Sequence, residues 1–206
     1  MSPRTRTRTP RTPPAPPGRV RIIAGVWRSR IVTFPAESDL RPTPDRVRET
    51  LFNWLGQDLT GKRCLDLFAG SGALGFEALS RGASEVVMVE RSRTVAAALR
   101  ESAARLEARG FRLVVGDALH FLAAPGEGRF DIVFVDPPYG SGLVAEVLPR
   151  LPNVLARGAD VYVESDQAVE VDRPWRVRKQ GRAGAVHYHL LEMGDHGDQG
   201  CLPGDV

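Results

Sequence analysis

Four consecutive residues, Asp136-Pro137-Pro138-Tyr139, carry the most legible chemistry of the chain, and they directly follow an apolar run, Phe130-Asp-Ile-Val-Phe-Val135. Neither proline can donate a ladder hydrogen bond, so the pair ends a strand and fixes the backbone beyond it. An Asp carboxylate, a proline carbonyl and a Tyr ring can then face one pocket. Carboxylate and carbonyl are both acceptors, matched to an exocyclic amino group with two N–H donors. An aromatic ring beside them suits the face of a nucleobase. Standing alone, the same four residues also describe a proline-rich turn with a surface tyrosine.

The context upstream shifts the balance. Gly70-Ser-Gly72-Ala-Leu-Gly75 matches G-x-G-x-x-G between a strand-like and a helix-like segment, the setting in which the motif has meaning. Glycines allow close backbone approach, and a helix N-terminus favours an anionic group. This fits a dinucleotide pyrophosphate as well as a methionine carboxylate. Glu90, twenty residues after Gly70, can accept both hydroxyls of a ribose, again in either ligand. Asp66, just before the loop, is less usual for a dinucleotide site. A buried carboxylate there needs a cationic or N–H partner, and a methionine-derived sulfonium ligand carries an ammonium group. In Gly116-Asp117-Ala118, the Asp offers an acceptor for an adenine amine and the backbone an N–H for the ring; the plain alternative is a helix N-cap.

These residues need a scaffold, and the chain from Gly61 onward supplies one. Short apolar runs alternate with helical stretches. Strands are expected at Lys62–Phe68, Glu85–Glu90, Phe111–Val115, Phe130–Val135 and Asp160–Glu164. Helices are expected at Ala73–Arg81, Thr94–Arg109 with Ser92 as cap, Ala118–Ala123 and Leu143–Leu155. Near-continuous Val/Ile/Leu strands between helices predict a mainly parallel sheet covered on both faces. After Pro174, Trp175–Lys179 and Val186–Leu191 alternate across a Gly181/Gly184 turn, which predicts an antiparallel hairpin. The expected fold class is α/β, a Rossmann-like doubly wound sheet with seven strands. Before it, Val20–Phe34 alternates around Gly25 as a small hairpin, and Leu40–Leu55 reads as a helix with Thr43 as N-cap, Pro44 at N1, and Val47, Leu51, Trp54 and Leu55 on one face.

Composition bounds the rest. With 206 residues, 42% of them hydrophobic, the chain makes one domain with tails. It has no apolar run long enough for a membrane span, and its Arg/Pro-rich start is not a secretory leader. Two cysteines, Cys64 in a strand and Cys201 in a polar tail, make neither a disulfide framework nor a metal site. A reduced, cytoplasmic protein is expected. Six Arg within residues 1–21 and three Asp within residues 194–206 account for the whole net charge of +3, so residues 22–193 are formally neutral. The organisation expected is a disordered basic arm over 1–19, a hairpin-and-helix extension over 20–56, the α/β domain over 57–193 and a disordered tail over 194–206. The arm reads equally as a nucleic-acid contact or a solubilising leader.

The order Asp66–Gly75, Glu90, Asp117, Asp136–Tyr139 resembles that of S-adenosylmethionine-dependent methyltransferases acting on exocyclic amines. Further stretches narrow it: Arg21–Arg28, Leu40–Trp54, Asp66–Gly75 and Val161-Tyr-Val-Glu-Ser165 closely resemble the bacterial 16S ribosomal RNA guanine-N2 methyltransferase family over about residues 20–192. The final hairpin, Lys179–His189, departs from the family's usual pattern. The resemblance implies a seven-stranded methyltransferase fold, S-adenosylmethionine as cofactor, and 16S rRNA or the small ribosomal subunit as partner, with a monomeric enzyme. It implies Asp136, Pro137 and Tyr139 as catalytic residues. The cofactor would be held by Asp66, Phe68, Ala69, Gly70, Gly72, Glu90, Arg91, Asp117, Ala118 and Asp136. RNA would meet Arg28, Arg30, Arg41, Thr43, Arg46 and Arg48; solvated helix and hairpin faces are the bland alternative for each Arg. His187 and His189 read as surface or packing residues and Cys64 as a small core residue.

Other functions fit fewer of these residues. Adenine N6 or protein glutamine methylation uses similar motifs, but usually with Asn where this chain has Asp136. A nicotinamide-dependent oxidoreductase accounts for Gly70–Gly75 and Glu90 and leaves Asp136–Tyr139 idle. A non-catalytic RNA-binding module leaves the whole cofactor set unexplained. No metal is implied.

Overall fold

The computed structural model describes residues 16–36, 40, 42–123 and 128–194. Most of the expected arm and tail, and Arg41, therefore lie outside the described residues. The extension opens with β1 (Gly18–Arg21) paired antiparallel to β2 (Ile31–Phe34), followed by α1 (Asp45–Leu55). Gly18 and Arg19, expected in the arm, belong to the first strand, opposite Phe34 and Thr33.

The α/β part runs β3 (Arg63–Asp66), α2 (Ala73–Ser80), β4 (Glu85–Glu90), α3 (Arg93–Leu106), β5 (Phe111–Val115), α4 (Ala118–Ala123), β6 (Phe130–Val135), α5 (Leu143–Val147), β7 (Leu155–Ser165), β8 (Trp175–Ala183) and β9 (Val186–Met193). The sheet order is β5-β4-β3-β6-β7-β9-β8. Pairs from β5 to β7 are parallel, and β9 inserts antiparallel between β7 and β8. This is the Rossmann-like, doubly wound methyltransferase sheet, closed by the hairpin expected after Pro174. One face packs Phe52, Phe76, Phe134, Tyr162 and Tyr188. The other packs Leu65, Val133, Val161 and the residues of α4 and α5.

Several boundaries differ from expectation for local reasons. The helix expected over Leu143–Leu155 stops at Val147 and continues as a 3-10 turn over Leu148–Asn153, because Pro149 and Pro152 cannot donate to an α-helical ladder. Helix α1 begins only at Asp45, with Pro44 at the N-cap position and no side-chain cap. Thr43, expected to cap it, spends its hydroxyl elsewhere. Ser92 does cap α3, accepting from the Val95 N–H at 3.3 Å.

Helix α2 is buried along its whole length, and it carries a carboxylate, Glu77, at 0% exposure. That carboxylate is saturated. Oε2 accepts from the Ile23 N–H at 2.8 Å and pairs with Arg48 Nη1 at 3.3 Å. Oε1 accepts from the Ala24 N–H at 3.0 Å and from Arg81 Nε at 2.9 Å. The loop between β1 and β2 thus seats on the C-terminal end of α2, where Val26 N–H also donates to the Ser80 carbonyl at 2.8 Å. Gly25, with φ of +80°, passes so close that a Cβ would stand 1.8 Å from the Ser80 carbonyl oxygen. No side chain fits there. Arg48, also at 0% exposure, donates onward to the Arg21 carbonyl at 2.9 Å, the Thr43 carbonyl at 3.3 Å and Asp45 Oδ1 at 2.7 Å. Arg81 lies over the Phe52 ring, 4.6 Å from its centroid, and Trp54 packs on Tyr188 with ring centroids 5.4 Å apart and the planes tilted by 33°. One buried network therefore fastens the hairpin, α1 and α2 into a single wall.

Removing the hub leaves the Ile23 and Ala24 N–H groups without their acceptor and takes from two buried guanidinium groups the carboxylate they share. Glu77→Ala is expected to destabilise the fold by about 3–5 kcal/mol, measured as a lowered urea midpoint with an unchanged slope.

Candidate active site

The carboxyl ends of β3, β4, β5 and β6 open into one cavity of about 990 Å³, lined also by the glycine-rich loop and by Leu40, Pro42 and Thr43 of the extension. Ligands of open α/β sheets bind at this edge, where strand order reverses, here between β3 and β6. Asp66, Phe68, Ala69, Gly70, Glu90, Arg91, Asp117, Ala118, Asp136, Pro137 and Tyr139 all line it. The two motifs noted in the sequence therefore share one space.

Gly72 does not line the cavity. A Cβ there would stand 2.7 Å from Leu99 Cδ2 and from the Phe76 ring, so its glycine serves close packing of α2 against α3. Gly70, at φ +47°, has Leu40 Cδ2 3.1 Å from a would-be Cβ, which places the extension directly over the loop. Asp66 is 2% exposed and accepts from the Gly75 N–H at 3.1 Å and from the Phe68 N–H. Burial nevertheless pushes its pKa up to about 7, with the neighbouring Glu90 charge adding to the rise. Such a group favours a cation beside it. Glu90 braces the loop, accepting from the Gly70 N–H at 2.9 Å and the Ser92 N–H at 2.7 Å. Asp117 Oδ1 caps α4 through the Leu119 and His120 N–H groups at 2.9 and 3.0 Å, the plain role considered for it.

Asp136 emerges from β6 onto the face that carries Phe134, and the Thr43 hydroxyl donates to its Oδ2 at 3.2 Å. Burial raises the Asp136 proton affinity well above the ordinary carboxylate range, and the nearby Glu164 and Asp66 charges raise it further. Glu164 lies in the Val161–Ser165 stretch that carries part of the family resemblance, but the sequence alone assigns it no site role. The β6–β7 register pairs Val135 with Val163, so the next residue of each strand, Asp136 and Glu164, projects from the same face. Glu164 is 2% exposed and accepts from the Tyr162 hydroxyl at 2.9 Å. The signal for it is strand parity, since Tyr162 and Glu164 are i and i+2 of one strand.

The residues expected to meet RNA separate into groups. Thr43 is buried and orients Asp136. Arg48 is fully buried in the Glu77 network and has no surface to offer a phosphate. Arg28 and Arg30 are exposed, but their loop seats at the far end of α2 from Gly70, about 12 Å away for an eight-residue helix. Arg46 is exposed, three residues beyond Thr43 at the cavity rim. Arg41 lies outside the described residues. Tyr139 is 49% exposed at the mouth. His189 is buried, and burial lowers its proton affinity, which makes it a packing residue. The Cys64 thiol, buried in β3, is pushed up to about 12, mainly by burial, and is likewise a core group.

Known proteins resemble this chain over most of its length. The family model described as "Conserved hypothetical protein 95" matches residues 20–192. "Ribosomal RNA small subunit methyltransferase D" of Escherichia coli K12 is 44% identical over 188 residues, covering 88% of this chain and 93% of its own. The protein of that name from Haemophilus influenzae is 41% identical over 182 residues, covering 85% and 94%. A solved Escherichia coli structure, provisionally designated a methyltransferase, is 44% identical with a TM-score of 0.78, covering 86% of this chain and 99% of its own.

Protonation of Asp66 couples to folding. Its folded pKa lies above its unfolded value of 3.8, so the unfolded chain loses its proton first as pH rises. Stability is therefore lost from about pH 4 up to about pH 7, at roughly 1.4 kcal/mol for each pH unit crossed. Asp66→Asn should flatten that decline, seen as a higher melting temperature than wild type at pH 8 and an equal one near pH 4.

Proposed function

We propose that this chain, which belongs to the conserved hypothetical protein 95 family together with ribosomal RNA small subunit methyltransferase D, methylates the exocyclic N2 amine of a guanine in 16S rRNA with S-adenosylmethionine as donor. The chain is a methyltransferase by that membership. The observation that carries the finer reading is the position of Asp136: a half-buried carboxylate directly after β6, followed by Pro137, in the same cavity as the glycine-rich loop.

The residues present fit the donor. Asp66, short of a cation, suits its ammonium; the backbone from Phe68 to Gly70 suits its carboxylate; Glu90 suits its ribose hydroxyls; and the free oxygen of Asp117 suits the adenine amine. Bound there, S-adenosylmethionine supplies an electrophilic methyl group on a positively charged sulfur. The protein's own part concerns the acceptor. A guanine N2 lone pair is delocalised into the ring and is a poor nucleophile. Accepting its two N–H bonds on the Asp136 carboxylate and the Pro137 carbonyl favours a pyramidal nitrogen and frees the lone pair. Asp136 then faces the positive charge that develops on nitrogen, a preorganised electrostatic contribution. Tyr139, half exposed at the mouth, stacks on the base withdrawn from its neighbours. Positioning of two reactants supplies the remainder.

RNA affinity in this reading comes from local Arg side chains and from the basic arm, because residues 22–193 are formally neutral. No described helix is long and apolar enough to cross a membrane.

Isothermal titration is expected to show binding of S-adenosylmethionine and of its demethylated product, with NAD silent. Glu90→Ala should weaken that binding by roughly 1.5–3 kcal/mol, through loss of charged hydrogen bonds. Asp136→Ala should abolish transfer and largely spare product affinity. Mass mapping of 16S rRNA from cells with and without the gene identifies the base. Tight NAD binding, or an active Asp136→Ala enzyme, would overturn the reading.

A second pair of variants separates RNA contact from scaffold. Arg46→Ala should make the salt dependence of RNA affinity shallower by at most about one phosphate equivalent at unchanged melting temperature. Arg48→Ala should lower the melting temperature instead.

A further inference from the structure

Two carboxylates stand side by side under the cavity floor, and one hydroxyl lies between them. Asp136 and Glu164 follow the register-paired residues Val135 and Val163 and share a sheet face. The Thr43 hydroxyl bonds Asp136 Oδ2 at 3.2 Å and also reaches Glu164. A hydroxyl has one proton to donate and can accept in return. It cannot donate to two ionised carboxylates at once, so one partner has to donate to it. Among the described residues, the charged groups around the pair offer no free cation to hold two negative charges. Asp66 faces it from β3, Tyr162 from β7 and Tyr188 from β9, while the Arg48 guanidinium behind Thr43 is engaged with Glu77, Asp45 and two carbonyls. Tyr162 is itself held protonated by burial and by Glu164, and donates to Glu164 Oε1.

We propose that Glu164 is a positioning residue that works as a neutral acid: it keeps the one proton of the Asp136–Glu164 pair and donates to Thr43, which donates to Asp136 and holds that carboxylate ionised and aimed at the target amine. The proton resides on Glu164 because it is the deeper member, 2% exposed, whereas Asp136 borders the cavity. Burial raises the proton affinity of both groups, and the hydrogen bonds with Tyr162 and Thr43 offset part of the rise at Glu164. Part of the larger rise at Asp136 comes from the Glu164 charge, so a proton on Glu164 removes that part. The relay Glu164–Thr43–Asp136 joins β7, the extension and β6, and explains why a threonine of the extension is buried in the catalytic face. It rests on the methyltransferase reading only for its purpose; the proton assignment stands on the protein alone.

The test uses Glu164→Gln and Glu164→Ala in the full chain. Gln reproduces the neutral acid, an amide N–H for Thr43 and a carbonyl for Tyr162. Thermal unfolding without ligand, from about pH 5 to about pH 9, reads whether the folded pair holds a proton. The folded pair's proton affinity lies above the unfolded value, so wild-type stability falls as pH rises through the point where the pair loses its proton. Glu164→Gln should lack that share of the fall and melt higher than wild type at the alkaline end, which loss of a merely structural hydrogen bond cannot produce. Single-turnover methylation of small subunits should decline at alkaline pH in wild type. Glu164→Gln should abolish that decline and cost no more than about threefold at neutral pH, whereas Glu164→Ala should cost roughly tenfold or more at every pH. Binding of S-adenosylhomocysteine should survive in both variants. A Gln variant that melts no higher than wild type at alkaline pH, or that keeps the alkaline decline in rate, would overturn the proposal. Wild-type protein that fails to bind S-adenosylhomocysteine would overturn the functional reading instead, and the ligand-free melting curves would still decide the proton.

Discussion

A carboxylate with no access to water, Glu77, holds the architecture around the cavity in place. An ion in that position is tolerable only if its hydrogen-bonding capacity is met by charged and backbone donors. Here the donors come from three places: Arg48 on α1, Arg81 at the end of α2, and the Ile23 and Ala24 backbone between β1 and β2. A buried ion pair of this kind adds little net stability over a well-packed apolar core, but it is unforgiving about partners. It dictates where the extension sits. Through the Thr43 carbonyl held by Arg48, it also dictates where the Thr43 hydroxyl points.

The cavity above is built from carboxylates that the fold would be more stable without. Asp66 and Glu164 are buried and Asp136 is half-buried, and burial raises the proton affinity of each. Stability is given up where function needs an unbalanced charge. An acceptor-rich, cation-poor cleft suits a ligand bearing an ammonium and a sulfonium, and an amine that becomes positive as it reacts. The roof from Leu40 to Thr43 and the Pro137–Tyr139 turn close this cleft from opposite sides.

Much of this is legible in the sequence because it is local. A glycine-rich turn between a strand and a helix, an acid at the end of the next strand, and Asp-Pro-Pro-Tyr after an apolar run each announce themselves within a few residues. What the sequence hides depends on partners far along the chain. Arg48 sits between Val47 and Leu51 and looks like a solvated helix position, because Glu77, its reason for burial, is 29 residues away. Thr43 looks like an N-cap, because Asp136, which takes its hydroxyl, is 93 residues away. Glu164 looks like the last residue of a strand until the β6–β7 register sets it beside Asp136. The broken helix after Leu143 is a different case: Pro149 and Pro152 are visible in the sequence, and their local veto overrides the apolar periodicity that suggests a longer helix.

The seating of the β1–β2 loop on α2 also bears on the order in which the molecule is made. The loop leaves the ribosome before the helix it needs, and its acceptors on α2 lie 53 and 54 residues later in the chain. Until α2 is synthesised, residues 18–34 have only their own two short strands, too little to be stable alone. Once α2 forms, Glu77 has Arg81 beside it on the same helix but lacks two of its backbone donors until that waiting segment returns. Each piece is thus unfinished without the other, and the contact that joins them is long-range, bridging 53 and 54 residues of chain. The extension is consequently less an appendage to a finished domain than a piece without which that domain is incomplete.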